Sequence, residues 1–224
     1  QPVKVIGTVE DISKQKEKEA ILTERAEIDQ LTRVANRAGL DHWISTYEDE
    51  TGSGVFNGCY ILCDIDNFKR FNDTFGHMFG DLVLKTVAEA LTETFSCCSG
   101  SIIGRLGGDE FAVMIKNARG RENEIKSSLQ KLLIHISKTD LQKADIEELT
   151  GGMQYDAALL QPKKDVRISV TISIGVAFSS PMDTTFSCLY DMADKALYLC
   201  KGTGKNQFRI FNEEEDGENS EFGC

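Results

Sequence analysis

The 224-residue sequence has no uncharged apolar run approaching the ~18 residues that a membrane-spanning helix requires. No basic segment leads into an apolar stretch near Gln1, so a soluble chain without a signal peptide is expected. A GxxxxGK[ST] segment is also missing, which excludes a P-loop NTPase by pattern. The 7 cysteines include the adjacent pair Cys97 and Cys98 but show no CxxC spacing and no histidine cluster, so no zinc site is expected. Cys59, Cys63 and Cys200 lie in apolar runs and read as reduced thiols of a cytosolic protein. Positive charge is in short supply: 25 Lys and Arg stand against 36 Asp and Glu, a formal charge of −11. That field opposes nonspecific binding to nucleic acid. A nucleotide ligand would have to be held by local charges and a metal.

What is present has the size of one main domain with attachments. Val3 to Asp11 (VKVIGTVED) reads as the last strand of something, and Ser13 to about Ile28 as a charged helix with a thin apolar stripe. That helix suits a signalling or dimerising role as well as a solvated connector. Beyond Asp29 the composition becomes globular. A helix near Arg37 to Thr46 and a Gly-rich loop from Thr51 to Gly58 precede a strand, Cys59 to Ile65 (CYILCDI). Leu84, Val87, Ala88, Leu91 and Phe95 recur with helical spacing. Ser101 to Leu106 and Phe111 to Ile115 form a hairpin round Gly107-Gly108-Asp109-Glu110, followed by an amphipathic helix through Ile125, Leu129, Leu132, Leu133 and Ile136. Lys138 to Asp165 is polar and aperiodic, with a mobile surface loop as the default. A buried strand over Val170 to Phe178, a helix over Phe186 to Cys200 and an edge strand at Gln207 to Phe211 complete the domain. The acidic tail from Asn212 is expected to be disordered. The tight hairpin favours an antiparallel or mixed sheet covered by helices over a doubly wound parallel one.

Several groups of residues invite a chemical reading. A core strand that closes on Asp64-Ile65-Asp66 puts two carboxylates on one face beside apolar packing, which is costly unless they meet a cation. A helix N-cap with a surface aspartate is the plainer explanation. Gly107 and Gly108 let a bulky ligand approach while Asp109 and Glu110 reach a metal, although an exposed Gly-Gly-Asp sequence is more often just a turn. Between Phe68 and Leu84, Asn72 with Asp81 has the donors and acceptors to read a guanine edge, with ordinary helix capping as the alternative. His77 reads as a loop or packing residue. Lys201 and Lys205, flanking Gly202 and Gly204, suit phosphate equally as they suit a helix C-terminus.

Five segments in this order give the sequence a sharper identity: DQLTRVANR (Asp29 to Arg37), DIDNFKRFNDTFGHMFGD (Asp64 to Asp81), RLGGDEF (Arg105 to Phe111), SIGVA (Ser173 to Ala177) and ADKALYLCKGTGKN (Ala193 to Asn206). Together they resemble the GGDEF family of diguanylate cyclases over roughly Asp29 to Phe211. The resemblance implies an α+β fold with a palm-like, mainly antiparallel sheet like that of nucleotidyl cyclases. It implies Mg2+, or Mn2+ in its place, held by Asp64, the Ile65 carbonyl and Asp109, with Glu110 beside them. It further implies that Asn72 and Asp81 read guanine and that Lys69, Lys201 and Lys205 contact phosphates, although position 205 is more often arginine in the family. The expected reaction joins two GTP molecules into cyclic di-GMP with release of two pyrophosphates. Asp109 and Glu110 are candidates for metal positioning and proton removal. Each domain would bind one GTP, so catalysis needs a homodimer and an isolated monomer should be nearly inactive.

Two departures stand out. The positions of the family's product-inhibition motif RxxD hold Cys98 and Ser101, neither of which pairs with guanine or phosphate as arginine does, so no feedback inhibition through that site is expected. The Lys138 to Asp165 stretch is longer than the family usually carries. The N-terminal VIGTVEDISKQKEKE resembles the end of a PAS sensor domain and its exit helix. The expected division is therefore 1–28 for sensor end and linker, 29–212 for the cyclase domain and 213–224 for the tail. Two rival readings are a GTP-binding module without turnover and a structural dimerisation domain with a vestigial pocket.

Overall fold

The computed structural model describes residues 26–141, 168–180, 184–212 and 216. The strand expected at Val3 to Asp11, the PAS-like end and most of the linker helix lie outside the described residues. So do most of the 138–165 stretch and all of the acidic tail past Asn212 except Asp216.

Among the described residues, five helices and seven strands follow one another: α1 (Arg37–Thr51), β1 (Gly58–Ile65), α2 (Phe68–Phe75), α3 (His77–Phe95), β2 (Ser101–Gly107), β3 (Glu110–Lys116), α4 (Glu122–Lys138), β4 (Asp140–Leu141), β5 (Ile168–Ser169), β6 (Ile172–Phe178), α5 (Phe186–Gly202) and β7 (Phe208–Ile210). The main sheet has the order β2-β3-β1-β6-β7. β2–β3, β3–β1 and β1–β6 pair antiparallel, while β7 joins the β6 edge in parallel. The sheet is thus mainly antiparallel, as expected of an α+β palm.

Period-two alternation on β1 explains why helices cover both faces. Cys59, Ile61, Cys63 and Ile65 enter a core with Val83, Val87 and Leu91 of α3 and Ile125, Leu129 and Leu132 of α4. Tyr60 and Leu62 enter the opposite core with Leu40 and Tyr47 of α1 and Leu189, Ala193 and Leu197 of α5. Asp64 continues the second series, so it emerges on the α1/α5 side where β1 runs out of apolar residues.

Three boundaries depart from the sequence reading. α1 continues past Thr46 to Thr51 and closes on Gly52 in the left-handed region. α3 opens at His77, four residues before Asp81, so Asp81 does not start that helix. The strand expected from Val170 starts later: β6 begins at Ile172, while Ile168–Ser169, ahead of the expected strand, pairs with Asp140–Leu141 as a separate two-stranded ribbon. The long polar stretch therefore leaves and re-enters the domain through paired backbone at its base.

Candidate active site

The C-terminal end of β1, the β2–β3 turn and the last turn of α5 meet at one end of the sheet. The register places Asp64 opposite Glu110 on one side and Ser173 on the other. Just beyond, the Ile65 amide donates to the Asp109 carbonyl at 3.3 Å. The two acidic stretches are thereby fixed against each other by backbone pairing.

The turn itself depends on backbone that side chains resist. Gly107 has φ 152° and Gly108 φ 54°, and the register slips between Arg105 and Gly107. Arg105 secures the turn: its Nε and Nη2 donate to the Gly108 carbonyl at 3.0 and 2.7 Å, and its Nη1 reaches both Asp29 carboxylate oxygens at 3.3 Å. Asp29 Oδ1 also accepts from the Thr32 amide at 2.8 Å and the Thr32 hydroxyl at 2.7 Å. Burial alone would raise the Asp29 carboxyl, but the Thr32 hydrogen bonds and Arg105 outweigh it and hold it below its ordinary value.

At the acidic centre the balance is reversed. Burial raises the Asp64 carboxyl, and Asp109 and Asp66 add to the rise despite the opposing Lys201. Burial, then the negative charge of Asp64, raises Glu110 as well, with Asp109 and Asp194 contributing. Lys201 Nζ lies 2.8 Å from Asp64 Oδ2. Among the described residues, no three acidic, histidine or cysteine side chains converge on one point in ion-ligating geometry. The donor set is nonetheless all hard oxygen, the chemistry that suits Mg2+ or Mn2+.

Asp66 has a different job from Asp64. It is 3% exposed. Its Oδ1 accepts from the Ser173 hydroxyl at 2.7 Å, and its Oδ2 from the Thr171 hydroxyl at 2.8 Å and the Asn206 amide at 3.0 Å. Those donors satisfy it, so it ties β1 to β6 and to the segment after α5.

The proposed base-reading residues lie on the adjoining helices. Asn72 on α2 holds its Oδ1 buried without a hydrogen-bond partner, the sort of unmatched acceptor that a ligand donor would relieve. A Cβ on Gly80 of α3 would fall within van der Waals overlap of that oxygen, so glycine there makes room for Asn72. Asp81 follows on α3 and is half-buried, and Lys69 is exposed on α2. Lys205, at φ 63°, donates to Asn67 Oδ1 at 2.8 Å and so faces the residue that opens α2.

Residues 26–157 match the family profile described as "Diguanylate cyclase, GGDEF domain". The chain belongs to the GGDEF family. Among curated relatives, the probable diguanylate cyclase DgcT of Escherichia coli K12 is 32% identical over 149 residues, covering 66% of this chain and 28% of DgcT. The cyclic di-GMP phosphodiesterase PdeR of the same strain is 26% identical over 209 residues, covering 91% of this chain and 27% of PdeR. The chain thus spans little more than a quarter of the length of either. The coiled coil and GGDEF domain of DgcB from Caulobacter crescentus, solved with c-di-GMP, superposes with a TM-score of 0.69 at 24% identity, over 89% of this chain and 93% of that one. This likeness establishes the palm-like fold.

In this GGDEF domain, the residues singled out from the sequence fall into three places. Asp64, Ile65, Asp109, Glu110 and Lys201 come together at the sheet end. Asn72 and Asp81 lie on the α2–α3 pair, and Lys205 touches its start. Lys69 contacts none of them within hydrogen-bonding distance. Arg105 has no role in the sequence reading, although an arginine in a strand otherwise made of Ser, Ile, Gly and Leu is a readable signal. Cys98 is buried, and Ser101 Oγ donates to the Phe95 carbonyl at 2.8 Å, so both RxxD positions are engaged internally. No helix among the described residues is long and apolar enough to cross a membrane.

Proposed function

We propose that this GGDEF domain is a diguanylate cyclase, condensing two GTP into cyclic di-GMP across a homodimer. The observation that carries the reading is the meeting of Asp64, Asp109 and Glu110, from separate stretches, in a centre where burial, with repulsion among the carboxylates adding to it, raises two of the carboxyls. A cluster that disfavours its own charges has little structural use and invites a divalent cation. Asp64, the Ile65 carbonyl and Asp109 would hold Mg2+. That ion would neutralise triphosphate charge and acidify the ribose 3′-hydroxyl.

The chain supplies the rest. Asn72 and Asp81 orient guanine through its donors and acceptor, and Lys69, Lys201 and Lys205 meet phosphate oxygens. Glu110, exposed and with its carboxyl raised, would take the 3′-hydroxyl proton as the new P–O bond forms at the α-phosphate of the GTP on the partner subunit and pyrophosphate departs. A second such attack closes the ring. The expected upstream sensor would set the dimer geometry.

A GTP-binding module without turnover is the second reading, favoured by the match to PdeR, a protein named for degrading cyclic di-GMP. Incubation with GTP and Mg2+, followed by separation of nucleotides by mass, distinguishes the two. Cyclic di-GMP supports the cyclase, and bound but unchanged GTP supports the module. Feedback inhibition through Cys98 and Ser101 is not expected.

A further inference from the structure

We propose that Lys201 is the resident counter-cation of the acidic centre, and that a divalent metal gains Asp64 by displacing this ammonium onto the nucleotide's phosphates. The inference rests on the metal-dependent cyclase reading and adds a binding order to it: metal and nucleotide bind as a coupled pair.

Asp64 is the innermost member of the cluster, its side chain only 13% exposed. The oxygen a metal must reach is in contact with Lys201 Nζ at 2.8 Å. Asp109 and Asp66 act on Asp64 at Coulombic range, and Lys201 is felt by Glu110 as well. One ammonium therefore serves several carboxylates, which is weak compensation for their combined charge. It is also a competitor, because a metal binding at Asp64 must first break a charge-assisted hydrogen bond. Against the metal alone, Lys201 would be pushed off a carboxylate into water.

With a triphosphate present the exchange changes sign. Lys201 occupies the last turn of α5 on a flexible four-carbon stem, and its side chain is 38% exposed, so the head can move without the helix. Phosphate oxygens offer it a replacement anion while the metal takes Asp64. Each ligand then removes an obstacle to the other. By linkage, the factor by which nucleotide tightens metal binding equals the factor by which metal tightens nucleotide binding. The division suits an enzyme of this chemistry, since the metal is recruited only with its substrate.

The test is a Mn2+ titration followed by electron paramagnetic resonance, on nucleotide-free protein and on protein with a non-hydrolysable GTP analogue. Lys201→Met keeps most of the apolar stem and removes the charge. The variant should bind Mn2+ on the order of ten-fold more tightly than wild type without nucleotide, a factor typical of coupled sites. Its gain in Mn2+ affinity on adding the analogue should be about ten-fold smaller than that of wild type, because the direct attraction of metal for triphosphate remains and only the share carried by Lys201 is lost. Circular dichroism checks that the variant is folded, and Lys201→Gln repeats the comparison should Met disturb the helix end. Equal or weaker Mn2+ binding by both folded variants overturns the proposal. Asp64→Asn in the same titration separates the two levels: loss of Mn2+ binding upholds the metal site whatever Lys201 does, whereas unchanged binding sinks both the site and the inference.

Discussion

Asp64 and Asp66 are separated by one residue and end in opposite circumstances. Asp66 is buried and answered by two hydroxyls and an amide, while Asp64 sits among like charges with one ammonium for relief. Asp66→Ala should therefore lower stability by about 3 kcal/mol, because hydrogen bonds to a charged group vanish and their donors are stranded. Asp64→Asn should leave the melting temperature unchanged or slightly higher while abolishing product. Thermal melts of the two variants check this, and equal destabilisation would refute the division of labour. Gly80 offers a second test. Alanine normally stabilises a helix interior by about 1 kcal/mol over glycine, but here its Cβ would displace the Asn72 carboxamide. Gly80→Ala should fold normally and raise the KM for GTP, as Asn72→Ala would. An unaltered KM would remove Asn72 from base recognition.

At the scale of elements, the hairpin is the part that function holds most tightly. Arg105 links its Gly108 carbonyl to Asp29, 76 positions earlier, where the chain enters the domain. Arg105→Ala should cost about 1 kcal/mol of stability or less, as a partly exposed ion pair does, yet reduce kcat by about ten- to a hundred-fold through misplacement of Asp109 and Glu110. The Asp29 carboxyl is held below its ordinary value, so its contribution is fully present above about pH 4 and is lost as pH falls further. Asp29→Asn should therefore lose less stability than wild type between about pH 6 and about pH 3, measured by urea unfolding at each pH. β1, the hairpin and α5 were legible in the sequence because each has enough residues for its burial period to show. The break between α2 and α3 at Gly76 was not, since Phe68, Phe71, Phe75 and Phe79 carry an apolar stripe straight across it. The β4–β5 ribbon was not either, because two-residue strands have no period. The Arg105–Asp29 and Lys201–Asp64 pairs join residues distant in sequence, and only the fold brings them together.

For the molecule as a whole, five ordered motifs pointed to the family and the palm, and three antiparallel pairings with one parallel edge bear that out. On the cyclase proposal, function at this scale would need two copies, because one acidic centre facing one nucleotide has nothing to attack. Catalysis would then depend on oxygens from β1 and the hairpin acting together on a metal under GTP. The most direct measurement compares the rate of cyclic di-GMP formation by wild type and Asp109→Ala at the same concentrations of protein, GTP and Mg2+, with matched circular dichroism spectra. The account predicts product from wild type and a loss of several orders of magnitude in the folded variant. A folded Asp109→Ala protein that works at the wild-type rate would contradict it.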